Sequence, residues 1–100
     1  MYEVKISSQA AKYFKKIKDK HLKQSFFEAI NKIAKDPYIG SRKKGDLAGL
    51  YGFDVRYDGI NYEIAYWVEE INGKLVVIVL AGTRENFYDE LKRIYNSKIK

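Results

Sequence analysis

The sequence predicts an α+β domain in which a small, twisted, mainly antiparallel sheet packs against an N-terminal helical hairpin, in the order β-α-α-β-β-β-α with a C-terminal helix. Three observations predict this class: two amphipathic helical patterns, two glycine-containing hairpin turns and one continuous apolar run. With 100 residues, the chain fits a single domain, which we expect to span residues 1–100. A chain of this length buries about two thirds of its unfolded surface, so one modest core is expected.

The first half of the chain predicts one strand and two helices. Residues 2–6 alternate apolar and polar side chains, as a half-buried strand does, and Ser7 or Ser8 then caps a helix. A second helix runs from about Leu22 to Lys35, with apolar residues spaced four, four and three apart. Asp36-Pro37 ends this helix, because the residue before a proline disfavours helical backbone.

The second half of the chain predicts three strands. Residues 53–57 and 62–68 alternate in polarity on either side of one turn, and Asn72-Gly73 marks a second hairpin. Residues 75–81 form a continuous apolar run, which is typical of a strand buried on both faces.

Side-chain parity predicts a polar face on the first of these hairpins. A two-residue turn at Asp58-Gly59 or at Gly59-Ile60 changes the cross-strand pairs but keeps the faces. In both registers Asp54, Arg56 and Glu63 share the face opposite the apolar one. One cation and two carboxylates are therefore expected to lie together.

The leading candidate site is the connection from the apolar strand to the last helix, which we predict to start near Thr83 as its N-cap. Arg84 and Tyr88 are four residues apart, so they are predicted to share one face of that helix. A guanidinium binds phosphate bidentately, and a phenol stacks on a base or transfers a proton. The alternative is a surface arginine beside an amphipathic tyrosine at the rim of the core.

Charge is segregated along the chain, whose net charge is +6. Residues 1–45 carry +8, residues 46–90 carry −6 and residues 91–100 carry +4. Basic ends that lie close together form one surface that attracts polyanions, whereas the alternative is a solvated, lysine-rich helix face. The cations predicted to bind nucleic acid are Lys12, Lys15, Lys16, Arg42, Lys43 and Lys44.

Composition excludes several kinds of chemistry. The absence of cysteine excludes disulfides, thiolate nucleophiles and iron–sulfur clusters, and a single histidine argues against a multi-histidine metal site or a Ser-His triad. No metal-ligand spacing occurs, and we expect neither a metal nor a cofactor. No apolar run reaches about 18 residues, and Met1–Lys5 contains an acid, so neither a membrane span nor a signal peptide is expected. A cytoplasmic location follows as an expectation.

The whole chain resembles the RelE/ParE toxin superfamily of bacterial type II toxin–antitoxin systems. After the lysine-rich helical hairpin and its Asp36-Pro37 stop, three motifs follow in the order and spacing of that family. They are Asp46-Leu47-Ala48-Gly49-Leu50-Tyr51, Asn61-Tyr62-Glu63-Ile64-Ala65-Tyr66 and Ala81-Gly82-Thr83-Arg84-Glu85-Asn86-Phe87-Tyr88. The resemblance covers nearly all of the chain.

The resemblance implies one of two activities. RelE-like members cut mRNA, typically in the ribosomal decoding site and without a metal, whereas ParE-like members poison DNA gyrase. Arg84 and Tyr88 match the strand-end cation and the late tyrosine of the nucleases, and Arg56 lies on the strand that supplies their basic residues. Glu63 stands where RelE has a catalytic arginine, and Asp54 stands where that subgroup is basic.

For a nuclease, these residue types suit an RNA transesterification by the ribose 2′-OH, and we assign their roles as a hypothesis. Arg84 and Arg56 then stabilise the phosphate, Glu63 takes the 2′-OH proton, and Tyr88 stacks on a base or protonates the leaving oxygen. The basic residues dock on ribosomal RNA, and an acidic, partly disordered antitoxin is the expected partner. A gyrase inhibitor and an inactive binding module stay open as alternatives, as do a homodimer and a toxin–antitoxin hetero-oligomer.

Overall fold

The computed structural model describes the backbone of residues 1–99 and the side chains of residues 1–96, and it confirms the predicted α+β class. The strands are β1 (Glu3–Ile6), β2 (Ser41–Arg42), β3 (Tyr51–Tyr57), β4 (Ile60–Glu69) and β5 (Leu75–Thr83). The helices are α1 (Ser8–Lys16), α2 (Lys20–Lys35) and α3 (Phe87–Ile99), and two short 3₁₀ turns span Pro37–Ile39 and Gly45–Leu47.

The five strands form one mixed sheet in the order β1-β5-β4-β3-β2. Only β1 and β5 are parallel, so most of the sheet is antiparallel as predicted. The apolar strand β5 lies between β1 and β4, and Val76 and Ile78 within it are fully buried. Strand β2 was not predicted, because two residues are too few to show an alternating pattern; they pair with Gly52 and Tyr51.

The hairpin of β3 and β4 adopts the first of the two predicted registers. Asp58 and Gly59 both have positive φ, at 52° and 76°, and they connect the paired residues Tyr57 and Ile60. Two left-handed residues give a turn whose twist matches that of the strands, and Asp-Gly is a favoured sequence for it. This register fixes which side chains of the two strands face each other.

Apolar side chains pack on both faces of the sheet, so the structure has two clusters where one core was expected. The helical hairpin of α1 and α2 covers one face, where Phe26 and Ile33 pack with Ile64. Helix α3 and the Gly45–Leu47 turn cover part of the other face; this second cluster contains Leu47, Leu50, Ala65, Val79, Leu80, Phe87 and Leu91.

The helix starts are set by local hydrogen bonds. The Ser7 hydroxyl accepts from the Ala10 amide at 3.1 Å, which confirms the predicted cap of α1. The prediction that the last helix starts at Thr83 is wrong, because Thr83 still pairs with Tyr62 in the sheet. Helix α3 begins four residues later, after Asn86 adopts a left-handed φ of 60°.

Candidate active site

The polar end of the second sheet face is left uncovered by α3. Cross-strand pairing places Asp54 of β3, Glu63 of β4 and Gly82 of β5 side by side. The next pair along this face, Ala65 and Leu80, already belongs to the apolar cluster under α3. The predicted polar face is therefore confirmed, and it adjoins the second core.

Glu63 is the carboxylate at the centre of this face, and only 5% of it is exposed. Its Oε2 lies 2.7 Å from Lys43 Nζ, and its Oε1 lies 3.8 Å from Arg84 Nε. The two cations thus approach different oxygens of one buried carboxylate. They stand beside a small cleft of about 130 Å³, which Ser41, Arg42, Lys43, Gly52, Asp54, Glu63 and Arg84 line; we call it the catalytic cleft, after the role that we propose for it below.

Gly52 makes the contact between Lys43 and Glu63 possible. A Cβ atom at position 52 would collide with Glu63 Oε2 and would stand 3.2 Å from both Lys43 Cε and Lys43 Nζ. The lysine side chain therefore passes over a stretch of β3 that has no side chain of its own. The short strand β2 holds the chain beside Gly52, because Ser41 pairs with that glycine, and Lys43 follows directly after β2.

Arg84 belongs to the connection that precedes α3. Its amide donates to the Asn61 carbonyl at 3.2 Å, and its own carbonyl accepts from the Phe87 amide at 3.2 Å. These bonds aim the side chain back across the sheet, where Arg84 Nη1 lies 3.4 Å from Asp54 Oδ1. The guanidinium remains 54% exposed, so it is accessible to a ligand in the cleft.

The predicted shared helix face of Arg84 and Tyr88 is wrong, because α3 begins at Phe87 and only Tyr88 lies in the helix. Arg84 contacts Asp54 and Glu63, whereas the half-exposed Tyr88 ring has Lys92 Nζ 5.5 Å from its centre. The structure thus joins Arg84 to the predicted Glu63 and gives Tyr88 no contact with the catalytic cleft.

Arg56 also lies outside the catalytic cleft. It shares the polar face with Asp54, but it is nearer the hairpin turn, and its Nη1 donates to Asn61 Oδ1 at 3.0 Å. Its guanidinium is exposed and forms no ion pair with any side chain in residues 1–96.

Lys43 is the site residue whose place the sequence analysis missed, since it was assigned only to nucleic-acid docking. A glycine inside a strand pattern indicates a close approach by another group, so Gly52 was the available signal.

The other predicted docking cations, Arg42 and Lys44, are exposed. So are Lys12, Lys15 and Lys16, which we call the α1 lysines. Lys98 and Lys100, from the basic C-terminal stretch, lie outside the described side chains.

The residue types of the cleft suit charge stabilisation and proton transfer. The Glu63 carboxylate can accept a proton, while Lys43 and Arg84 present cations to a negatively charged ligand. In the part of the chain that the structure describes, no group of three His, Asp or Glu residues is arranged to hold a metal ion.

Within residues 1–99, no helix is both long and apolar enough to cross a membrane.

The architecture matches solved toxin structures over 83% to 99% of the chain. A double-alanine mutant of the E. coli toxin RelE in the free state is 16% identical, with a TM-score of 0.76 over 99% of this chain and 98% of that one. The Mycobacterium tuberculosis RelBE2 toxin–antitoxin complex contains a chain that is 24% identical, with a TM-score of 0.65 over 83% and 98% of the two chains. The intact E. coli RelBE complex contains one that is 18% identical, with a TM-score of 0.68 over 83% and 96%.

The comparison with curated protein sequences gave no match. A family model described as "ParE-like toxin of type II bacterial toxin-antitoxin system" matches residues 4–92. This match spans most of the chain, and the structural likeness agrees with it. The chain therefore belongs to the ParE-like toxins of type II toxin–antitoxin systems, within the RelE/ParE superfamily.

Proposed function

We propose that this toxin is a metal-independent endoribonuclease that cleaves mRNA on the ribosome, with the catalytic cleft as its active site. The observation that carries the proposal is the buried Glu63 carboxylate between Lys43 and Arg84. A base and two cations around one shallow cleft are the groups that a phosphodiester transesterification needs.

A purely structural role explains this cluster poorly. A buried ion pair contributes little to stability, because the desolvation of both charges offsets their attraction. The cluster also lines a cleft, and concave sites with a few convergent polar groups are where ligands bind. Arg84 in particular is half exposed and lies 3.4 Å or more from both carboxylates, so a phosphate can compete for it.

In the proposed reaction, Glu63 takes the proton of the ribose 2′-OH, and the 2′-oxygen forms a bond to the adjacent phosphorus. The bond from phosphorus to the 5′-oxygen breaks, which leaves a 2′,3′-cyclic phosphate and a 5′-hydroxyl. Lys43 donates the proton that the leaving oxygen takes up and regains one from Glu63, 2.7 Å away. Arg84 stabilises the charge that builds on the phosphate oxygens, which is commonly the largest contribution to such a rate.

The other predicted site residues take supporting roles in the proposal. Arg56 and Tyr88 lie outside the catalytic cleft, so we assign them to contacts with the RNA strand and not to the chemistry. The α1 lysines, together with Arg42 and Lys44, dock on ribosomal RNA, where lysine contacts set affinity and salt dependence more than specificity. Action on ribosome-bound mRNA places the toxin in the cytoplasm.

A protein antitoxin is the proposed regulator of this activity. Two of the similar structures are toxin–antitoxin complexes from E. coli and Mycobacterium tuberculosis. For this chain we propose an acidic antitoxin, partly disordered when free, because the basic N-terminal half gives it a complementary surface.

Induced expression tests the proposal, with transcript 5′ ends mapped and cell growth followed. We expect mRNA cleavage by the native chain, and a loss of about 10²–10³ in cleavage rate for Arg84→Ala and for Glu63→Gln. Lys74→Ala is the matched control, because Lys74 precedes β5 at the opposite end of the sheet. An Arg84→Ala protein that is as toxic as the native chain would end this site assignment.

The second candidate function is inhibition of DNA gyrase by binding alone. Asp54 favours it, since this exposed carboxylate on the rim of the cleft opposes the approach of a phosphate. DNA breaks and an SOS response with intact transcripts would select this candidate. Growth without any defect would instead indicate an inactive toxin-fold binding module.

A further inference from the structure

A second cavity, of about 430 Å³, adjoins the catalytic cleft and shares two of its wall residues. Arg42 and Lys43 line both cavities. Tyr38 and Tyr51 form a wall of the larger cavity. No residue of this aromatic wall has a part in the chemistry proposed above.

The aromatic wall is held rigidly. Tyr51 stacks on Tyr66 with a ring-centre distance of 5.5 Å and an interplanar angle of 17°. Tyr66 is fully buried, and its hydroxyl donates to the Pro37 carbonyl at 2.8 Å, so it cannot shift to fill the cavity. Tyr38 meets Tyr51 edge-on at 5.8 Å, and its hydroxyl donates to Glu70.

The rest of the lining leaves room for a flat ligand. Ala48 and Gly49 contribute to it, and neither has a side chain larger than a methyl group. The Tyr95 hydroxyl donates to the Ala48 carbonyl at 2.9 Å and thereby fixes this segment. The cavity volume lies within the range of small-molecule sites.

Arg42 supplies a free cation at the boundary of the two cavities. It is exposed and pairs with no carboxylate among residues 1–96, whereas Lys43 is already engaged by Glu63. A guanidinium beside a rigid aromatic wall selects a ligand with both a flat π system and a negative charge. A nucleotide combines the two, since its base stacks on aromatic rings and its phosphate binds arginine.

We propose that this cavity binds the base of a nucleotide of the RNA substrate that lies outside the catalytic cleft, with Tyr38 and Tyr51 against the base and Arg42 on its phosphate. The proposal rests on the proposed function, because Arg42 and Lys43 line both cavities and so bring the second cavity within reach of an RNA strand bound in the catalytic cleft. Stacking tolerates every base, so the subsite positions the RNA strand more than it reads sequence.

Nucleotide titration of the full-length chain tests the subsite by amide NMR shifts. The probe is adenosine 5′-monophosphate, which has no linkage to cleave, and inorganic phosphate is titrated in parallel. We expect the nucleotide to shift the amides of Tyr38, Tyr51 and Arg42. Tyr38→Ala and Arg42→Ala should each raise its Kd about tenfold, whereas Tyr38→Phe keeps the ring and should stay within about twofold.

A matched variant separates stacking from structural support. Glu70→Gln changes the partner of the Tyr38 hydroxyl but keeps the ring, and it should bind the nucleotide as the native chain does. Equal weakening by Glu70→Gln and Tyr38→Ala overturns the proposal, as do shifts centred elsewhere or an equal response to phosphate alone. A hexaglutamate peptide that shifts these amides where the nucleotide does not would assign the cavity to a protein partner instead.

The two proposals can fail separately. Nucleotide binding in this cavity by a chain that leaves all transcripts intact would retain the subsite and reject the endoribonuclease. Transcript cleavage that Tyr38→Ala and Arg42→Ala leave unchanged, with no nucleotide bound here, would retain the endoribonuclease and reject the subsite.

Discussion

At the scale of single residues, the catalytic cleft depends on a glycine that has no chemistry of its own. Gly52 lets the Lys43 side chain reach Glu63 across β3, and both groups crowd the space that a Cβ would occupy. Glu63 lies next to the apolar pair Ala65 and Leu80, and the Lys43 ammonium group offsets the free-energy cost of burying the Glu63 carboxylate there. The arrangement is tight, and its geometry is therefore sensitive to one methyl group.

Gly52→Ala is expected to displace the Glu63 carboxylate and the Lys43 ammonium, with a loss of at least tenfold in RNA cleavage. The reason is steric, because the new Cβ meets side-chain atoms of both residues. Positioning errors of about 1 Å commonly cost about 10²-fold in rate. The measurement is single-turnover cleavage of a ribosome-bound mRNA, together with thermal unfolding to confirm that the variant folds.

Gly59→Ala is the control for this prediction. It strains a left-handed position with φ of 76°, and an added Cβ meets no atom within 4 Å. We expect it to lower the free energy of unfolding by about 1 kcal/mol and to leave cleavage unchanged. Equal cleavage by Gly52→Ala and Gly59→Ala would show that the packing around Gly52 is irrelevant to activity.

The sequence predicts some of the site residues and cannot predict others. Parity along a hairpin placed Glu63 and Asp54 on one face, because a two-residue period is a local property. Lys43 and Gly52 meet only because β2 adds a two-residue strand to the sheet, and no local pattern marks so short a strand. The group that a long, flexible side chain such as that of Lys43 contacts is decided by the tertiary fold. The spacing of residues along the sequence does not predict it.

At the scale of secondary structure, the connection between β5 and α3 shows how pairing overrides a capping signal. Thr83 is a good N-cap residue, yet it extends β5 because Tyr62 of β4 lies beside it. The apolar residues Phe87 and Leu91 face the sheet whether the helix begins at Thr83 or at Phe87, so helical periodicity alone does not determine where the helix starts. The three residues between strand and helix leave Arg84 free to turn toward Glu63.

The start of α2 carries a pH-dependent contribution to stability. Hydrogen bonds from the Leu22 amide, the Tyr57 hydroxyl and the His21 amide hold the pKa of the Asp19 carboxyl below its ordinary value. Folding therefore favours the ionised form, and the cap stabilises the protein above the unfolded-state pKa of about 3.9. This contribution is lost as the pH falls through the lower pKa of the folded state.

Asp19→Asn is expected to flatten the fall of the Tm below about pH 4 while changing the Tm at pH 7 little, because asparagine is also a good cap but does not ionise. Asp19→Ala removes the cap and should lower the Tm at both pH values. Thermal unfolding followed by circular dichroism across this range makes the comparison. Parallel acid limbs for the native chain and Asp19→Asn would contradict the assignment.

At the scale of the whole molecule, the α1 lysines extend the positive surface toward the site. Lys12 and Lys16 line a groove of about 300 Å³ beside the C-terminal end of β5, and Gly82 and Thr83 lie in the same groove. Glu85 and Glu90 line it as well, and Arg84 of the catalytic cleft follows Thr83 directly in the chain. This juxtaposition follows from where α1 packs on β5, which the helical pattern of α1 does not specify.

Replacement of all three α1 lysines by alanine should weaken the binding of single-stranded RNA and reduce its salt dependence. Each neutralised phosphate contributes about 0.7 to the slope of log affinity against log salt, so three lost contacts lower the slope by about 2. Fluorescence anisotropy between about 50 and 200 mM salt measures this change.

The control replaces Lys20, Lys32 and Lys35 of α2, which removes the same charge elsewhere. The cleavage rate at saturating RNA should stay constant in both triple variants, since neither touches the catalytic cleft. Equal slopes for the two triple variants would mean that net charge alone, and not the position of the α1 lysines beside β5, governs the encounter with RNA.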